Sequence, residues 1–245
     1  DDGSEKLVYQ EVAGIRVRYR KGGSIGDMYV TDFKRNADGT YVLSSDDASE
    51  ARLVRDTENP FGTFIGNMNS KFQLGWSNTI NWKDFQLYFL INGRIGGKVI
   101  SVTEAYLDNY GLSKRSANAR LAAEAYGWYD ASGNALMPVP DGSGRMMTVQ
   151  NYYQSIGEMK NPSEYVYNAT NFRLRELSVG YTFRNLLGEG KNVALSFIAR
   201  NLFFIYKDAP VDPDISLSTG NGLGAFEIFN MPSSRSFGFS LKVNF

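Results

Sequence analysis

The chain of 245 residues contains neither cysteine nor histidine. Without cysteine there is no disulfide, no thiolate metal site and no cysteine nucleophile. Without histidine the usual general base and the usual imidazole ligand are missing. An enzymatic activity and a cofactor are accordingly not expected. An excess of one charge is lacking too, since 26 basic side chains face 26 acidic ones, which leaves no electrostatic case for a nucleic-acid partner. Long apolar runs are absent: stretches such as Leu87 to Ile91 are only a handful of residues, whereas a membrane helix needs about 20. A membrane strand needs only about 9 to 11 residues of alternating character, so a barrel stays open. The chain starts at Asp1 with neither an initiator Met nor a signal peptide and is expected to be a mature piece or a fragment.

What is present is alternation. In the stretch from Arg235 to Phe245, Phe237, Phe239, Leu241, Val243 and Phe245 share one face, and Ser236, Gly238, Ser240, Lys242 and Asn244 the other. A strand with one wholly apolar and one wholly polar face needs grease on one side and water on the other. Ser70 to Ile80 repeats the pattern with Phe72, Leu74, Trp76 and Ile80, Asn78 being the misfit. Phe85 to Arg94 does so with Phe85, Leu87, Phe89 and Ile91, and Val193 to Arg200 with Val193, Leu195, Phe197 and Ala199. Phe172 to Phe183 changes phase between Leu174 and Leu177, which predicts a β-bulge near Arg175.

The connections alternate in length: short at Asn81 to Asp84 and Arg184 to Asn192, long at Ile95 to Asn171 and Asn201 to Ser234. Transmembrane barrels have short periplasmic turns and long outer loops, so the C-terminus is expected in the periplasm. Five strands are too few and of the wrong parity for a bacterial barrel, and an open edge cannot face lipid. Either further strands of a larger protein complete the barrel, or several copies do. Within the long loop, Ser113 before Lys114 to Tyr126 and Gly127 after it predict a capped helix. Tyr41 to Leu43 after Asp38 and Gly39 predict a minor hairpin.

Several segments resemble the C-terminal part of a SusC-like (RagA-type) TonB-dependent outer-membrane transporter. They are Gly23 to Asp27, Ile65 to Asn67, Leu74 to Thr79, Phe89 to Gly97, Tyr110 to Arg115, Phe172 to Phe183, Arg200 to Phe203 with Asp212 to Asp214, and Pro232 to Gly238. The resemblance implies an all-β fold: the last five antiparallel strands of a barrel of about 22 strands with a plug in its lumen, with short helices in long extracellular loops. On this reading residues 1–69 are an extracellular loop region with the minor hairpin, and 70–245 carry the strands. The strands lie at about 70–80, 85–95, 172–183, 193–203 and 235–245, with loops 96–171 and 203–234. It further implies import of oligosaccharides or peptides across the outer membrane of Bacteroidetes, with a SusD-like lipoprotein and TonB as partners. The plug and the remaining N-terminal barrel would lie outside this chain, and the lipid bilayer would surround it. A passive porin and a soluble β-sandwich carbohydrate-binding module are the alternatives.

Trp128, Tyr129, Tyr152, Tyr153, Tyr165 and Tyr167 are candidates to stack on substrate; the competing reading is that they pack the loop or meet a partner. Asp212 and Asp214, with Asp208, are weak candidates for a hard cation, against turn capping. Asn36 to Gly39 is partly like a calcium loop, but Lys34 and Ser45 stand where carboxylates belong, so a hairpin turn is expected. Gly220, Gly222 and Gly224 lack a strand-to-helix setting and read as a flexible loop. Arg175 and Glu176 should face the lumen or the rim, because a lipid-facing Arg costs about 2–4 kcal/mol at midplane. Trp82 is expected at the membrane interface. Phe237, Phe239, Leu241, Val243 and Phe245 resemble the terminal signal read by the barrel-assembly machinery.

Overall fold

The structure, a computed structural model, describes residues 8–12, 14–19, 21–59, 61–157, 162–215 and 224–244. Phe245, Gly220 and Gly222 fall outside these residues. The chain forms two compact units.

One unit comprises Ser70–Gly97, Asn168–Ile215 and Met231–Phe245 and is built on a single five-stranded sheet. Its strands are β1 (Phe72–Trp82), β2 (Phe85–Ile95), β3 (Asn171–Phe183), β4 (Asn192–Lys207) and β5 (Ser236–Asn244). Each pairs antiparallel with the next in sequence. Opposed residues of an antiparallel ladder point to the same face, so the register carries the alternation across the sheet. Phe239 lies opposite Phe197, Phe197 opposite Val179, Val179 opposite Leu87 and Leu87 opposite Ile80. Every link in that row is apolar. Ser240, Ser196, Gly180, Gln86 and Asn81 form the corresponding row of the other face.

The bulge falls where the phase change requires it. The ladder steps from Leu174 to Glu176 against both β2 and β4, leaving Arg175 as the extra residue. Phe172 and Leu174 thereby join Leu177 and Val179 on the apolar face, opposite Gly93 and Ile91. A Cβ on Gly93 would stand 2.6 Å from the Phe172 ring; the ring fills the space that a side chain would take. Pairing of β1 and β2 runs to Trp82 and Phe85, so the first turn shrinks to Lys83 and Asp84, with Lys83 at a φ of 55°. β4 runs further than the alternation predicts, because Phe204 and Tyr206 still pair with Arg173 and Phe172.

A β-sandwich would bury the apolar face against a second sheet. Phe239 and Leu241 are instead 78% and 67% exposed. The eleven residues of β1 make about 34 Å at about 3.4 Å per residue. Tilted by the roughly 40° of a barrel strand, they give an apolar band about 25 Å tall. Aromatics gather at the turn end of this band, where Phe85 packs edge-on to Tyr181 at 4.6 Å, Tyr181 on Phe183 at 4.7 Å, and Trp82 stacks on Phe85 at 6.3 Å. Phe72, Phe172 and Tyr206 occupy the opposite end.

The other unit comprises Asp1–Asn69, Lys98–Tyr167 and Ser216–Asn230. Four short strands, Val8–Val12, Ile15–Arg18, Asp27–Val30 and Thr63–Asn67, form an antiparallel meander. Its Ile15, Val17, Met28 and Val30 pack with Ile100, Val102 and Phe226 in one core cluster. Three helices follow: α1 (Val102–Asn109), α2 (Lys114–Tyr126) and α3 (Val149–Gly157). α2 has the caps that its sequence predicts: the Ser116 N–H donates to Ser113 Oγ at 3.0 Å, and Gly127 takes a left-handed φ of 67°. A second cluster joins Ala105, Met147, Tyr152, Ile156 and Tyr165 to Phe33, Tyr41 and Leu53. The last three belong to the minor hairpin, whose bridges pair Arg35 with Tyr41 and Leu43 with Leu53.

Candidate functional site

The polar face of the sheet carries the charged groups. Arg173 and Asp212 have side chains only 3% and 8% exposed and meet at 2.5 Å. Arg173 also donates to Ser233 Oγ at 2.6 Å, Ser233 Oγ donates to the same Asp212 oxygen at 2.6 Å, and the guanidinium lies 3.7 Å over the Phe204 ring. Beside this pair, Arg175 donates to Asp214 at 2.6 Å and to Asn201 at 3.1 Å, while Asn171 Nδ2 donates to the other Asp214 oxygen at 3.0 Å. Arg94 of β2 donates to the Pro213 carbonyl at 3.1 Å. The bulge places Arg175 in this network: it supplies an extra side chain at a point where the ladder makes no demand on it.

The network accounts for the carboxylates of Asp212 and Asp214, the weak cation candidates. Their oxygens are taken by guanidinium, amide and hydroxyl donors, and among the described residues no cluster of three or more acidic, Cys or His side chains is placed to hold a metal. Burial alone would raise the Asp212 carboxyl, but the hydrogen bonds from Ser233 and Arg173 outweigh it and hold the group below its ordinary value. The register puts Glu176 opposite Arg200 and Leu90, on the same face as Gly180, and Arg200 donates to Glu176 at 3.1 Å. That pair is exposed and contributes little.

In the loop unit the six candidate aromatics separate by burial. Tyr152 and Tyr153 lie on the inner face of α3, edge to face at 5.2 Å, and Tyr165 is 0% exposed. Its hydroxyl donates to Asp108 Oδ2 at 2.7 Å, and Arg115 donates to the same oxygen and sits 4.9 Å over the ring. Burial and the Asp108 carboxylate push the Tyr165 phenol up, and burial does the same to Tyr152. Tyr167 is half-buried with its hydroxyl on Glu104. Tyr152, Tyr153 and Tyr165 are thus buried in the packing of the unit, and Tyr167 is partly so. Tyr129 is exposed, and Trp128 stacks at 4.6 Å on Tyr126, itself largely exposed. The partner of Trp128 three-dimensionally is thus Tyr126, on the last turn of α2, which its place in a polar helix concealed.

No family model matches the chain. The TonB-dependent receptor P3 of Formosa agariphila is 23% identical to it over 246 residues, 92% of this chain and 23% of that protein. The structure of the RagAB peptide transporter superposes with a TM-score of 0.54 at 16% identity, covering 92% of this chain and 25% of that one. The RagAB peptide importer in its open-open state gives 0.53 at 18% identity, covering 90% and 23%. The chain is similar to a TonB-dependent receptor and shares its fold with part of the RagAB structures. It spans about a quarter of the length of these relatives. Its five antiparallel strands are a section of the barrel wall, and such receptors reside in the outer membrane.

Proposed function

We propose that the whole protein imports oligosaccharides or peptides across the bacterial outer membrane, working with a SusD-like lipoprotein and energised through TonB. It acts as a conduit and not as a catalyst. The observation that carries this reading is the sheet itself, in which one face is apolar apart from Asn78 in the rows that cross all the strands and the other holds the Arg–Asp network. The apolar face meets lipid and the polar face lines the lumen. The likeness to RagAB, described as a peptide importer, supports the peptide arm in particular.

In this reading the two short turns lie in the periplasm, as does the C-terminus, and the loop unit lies outside, where Trp128 and Tyr129 contact cargo with Tyr126. Phe237, Phe239, Leu241 and Val243 form the face recognised during barrel assembly. The test is uptake of labelled oligosaccharide and peptide pools by cells carrying the full-length protein. Accumulation that a protonophore abolishes is expected. Uptake that continues unchanged after the protonophore would make the protein a passive porin.

A further inference from the structure

A cleft of about 440 Å³ opens on the polar face of the sheet. Its charged lining consists of Arg94, Arg175 and Asp214, and Gln73, Asn92 and Asn171 supply amide groups. Two guanidinium groups therefore stand against one carboxylate. The two ion pairs beside it differ in access. Arg173 and Asp212 are sealed, whereas the side chains of Arg175 and Asp214 are 28% and 18% exposed. Both of the latter line the cleft, so a solute entering it can reach the outer pair and not the inner one.

We infer that this cleft binds a carboxylate group of a transported solute, which exchanges with Asp214 on Arg175 while Arg94 supplies the second positive charge. Guanidinium offers a planar fork of donors that matches a carboxylate. The exchange does not strand the displaced Asp214, because Asn171 Nδ2 continues to hold its other oxygen. The inner Arg173–Asp212–Ser233 cluster keeps the loop root in place during the exchange. Arg94 stays at the cleft wall through its bond to the Pro213 carbonyl. The carboxylate could come from the C-terminus of a peptide or from a uronic acid. The inference rests on the reading that the polar face lines the conduit.

The test is calorimetric titration of the full-length transporter in detergent with triglycine, triglycine amide, glucuronate and glucose. At least one acidic probe should bind about tenfold or more tighter than its neutral counterpart, the range of one charge-assisted hydrogen bond; whether triglycine or glucuronate does so identifies the source. Arg175→Gln and Arg94→Gln should each erase most of that preference. Asp214→Asn should strengthen acidic binding, since it weakens the internal competitor. A purely structural Arg175–Asp214 pair would instead make Asp214→Asn weaken binding as Arg175→Gln does. That result, or equal binding of acidic and neutral probes, overturns the inference. Retention of a heat-resistant folded band on gels shows that each variant is still a barrel. Energised uptake without acidic preference would remove this inference and leave the transport reading standing.

Discussion

Gly157 ends α3 against α1, where a Cβ would lie 2.6 Å from the Asn109 nitrogen and 2.7 Å from the Ala105 oxygen. Both neighbours are backbone, so Gly157→Ala must force the helices apart. Overpacking of this kind costs about 1–3 kcal/mol, and faster proteolytic cleavage within the loop unit is the expected readout. Asp141 is a second such point. Its carboxylate accepts from the Tyr41 N–H at 2.9 Å, from Ser143 and from Arg145. Burial opposes its ionisation, but these hydrogen bonds prevail and lower it to about 2. A depressed folded value means stability that is fully present above the ordinary carboxylate range and lost as pH falls through about 2. The difference in thermal stability between wild type and Asp141→Ala should therefore be full at neutral pH and close as pH approaches that value. At this scale the sequence was only partly legible. The Arg175 bulge could be found because phase is local, whereas Asp212 and Asp214 were open to misreading because their arginines lie 39 residues away in the chain.

Among the elements, strands and α2 were legible, since alternation and caps are written in neighbouring residues. α1 and α3 are harder to read from the sequence, although each carries a start signal. Ser101 and Glu104 have the spacing of a capping box, and the Glu104 N–H donates to Ser101 Oγ at 3.2 Å. Thr148 Oγ1 accepts from the Asn151 N–H at 3.1 Å. Tyr152 and Tyr153 are on the buried face of α3, an amphipathic helix. The faces of β5 give the sharpest element-level expectation. Phe239→Arg puts a charge toward lipid at about 2–4 kcal/mol near midplane, so the heat-resistant folded band should be lost. Ser240→Arg, one residue on but facing the other way, should keep it.

For the whole molecule, the free edges of β1 and β5 show that this sheet cannot stand alone in a bilayer, where unpaired backbone amides cost several kcal/mol each. On the proposed reading further strands continue the wall on both sides; the chain spans about a quarter of the length of its relatives. The central claim, that the apolar face meets lipid and the polar face meets water, can be measured along one strand. This stretch has no cysteine of its own, so single cysteines at positions 236 to 242 of the full-length protein can carry a fluorophore in proteoliposomes. Labels at 237, 239 and 241 should be quenched by lipid-borne nitroxide and shielded from aqueous iodide, and labels at 236, 238, 240 and 242 should show the reverse. Iodide quenching that does not alternate, with no lipid-borne quenching at 237, 239 or 241, would contradict the account.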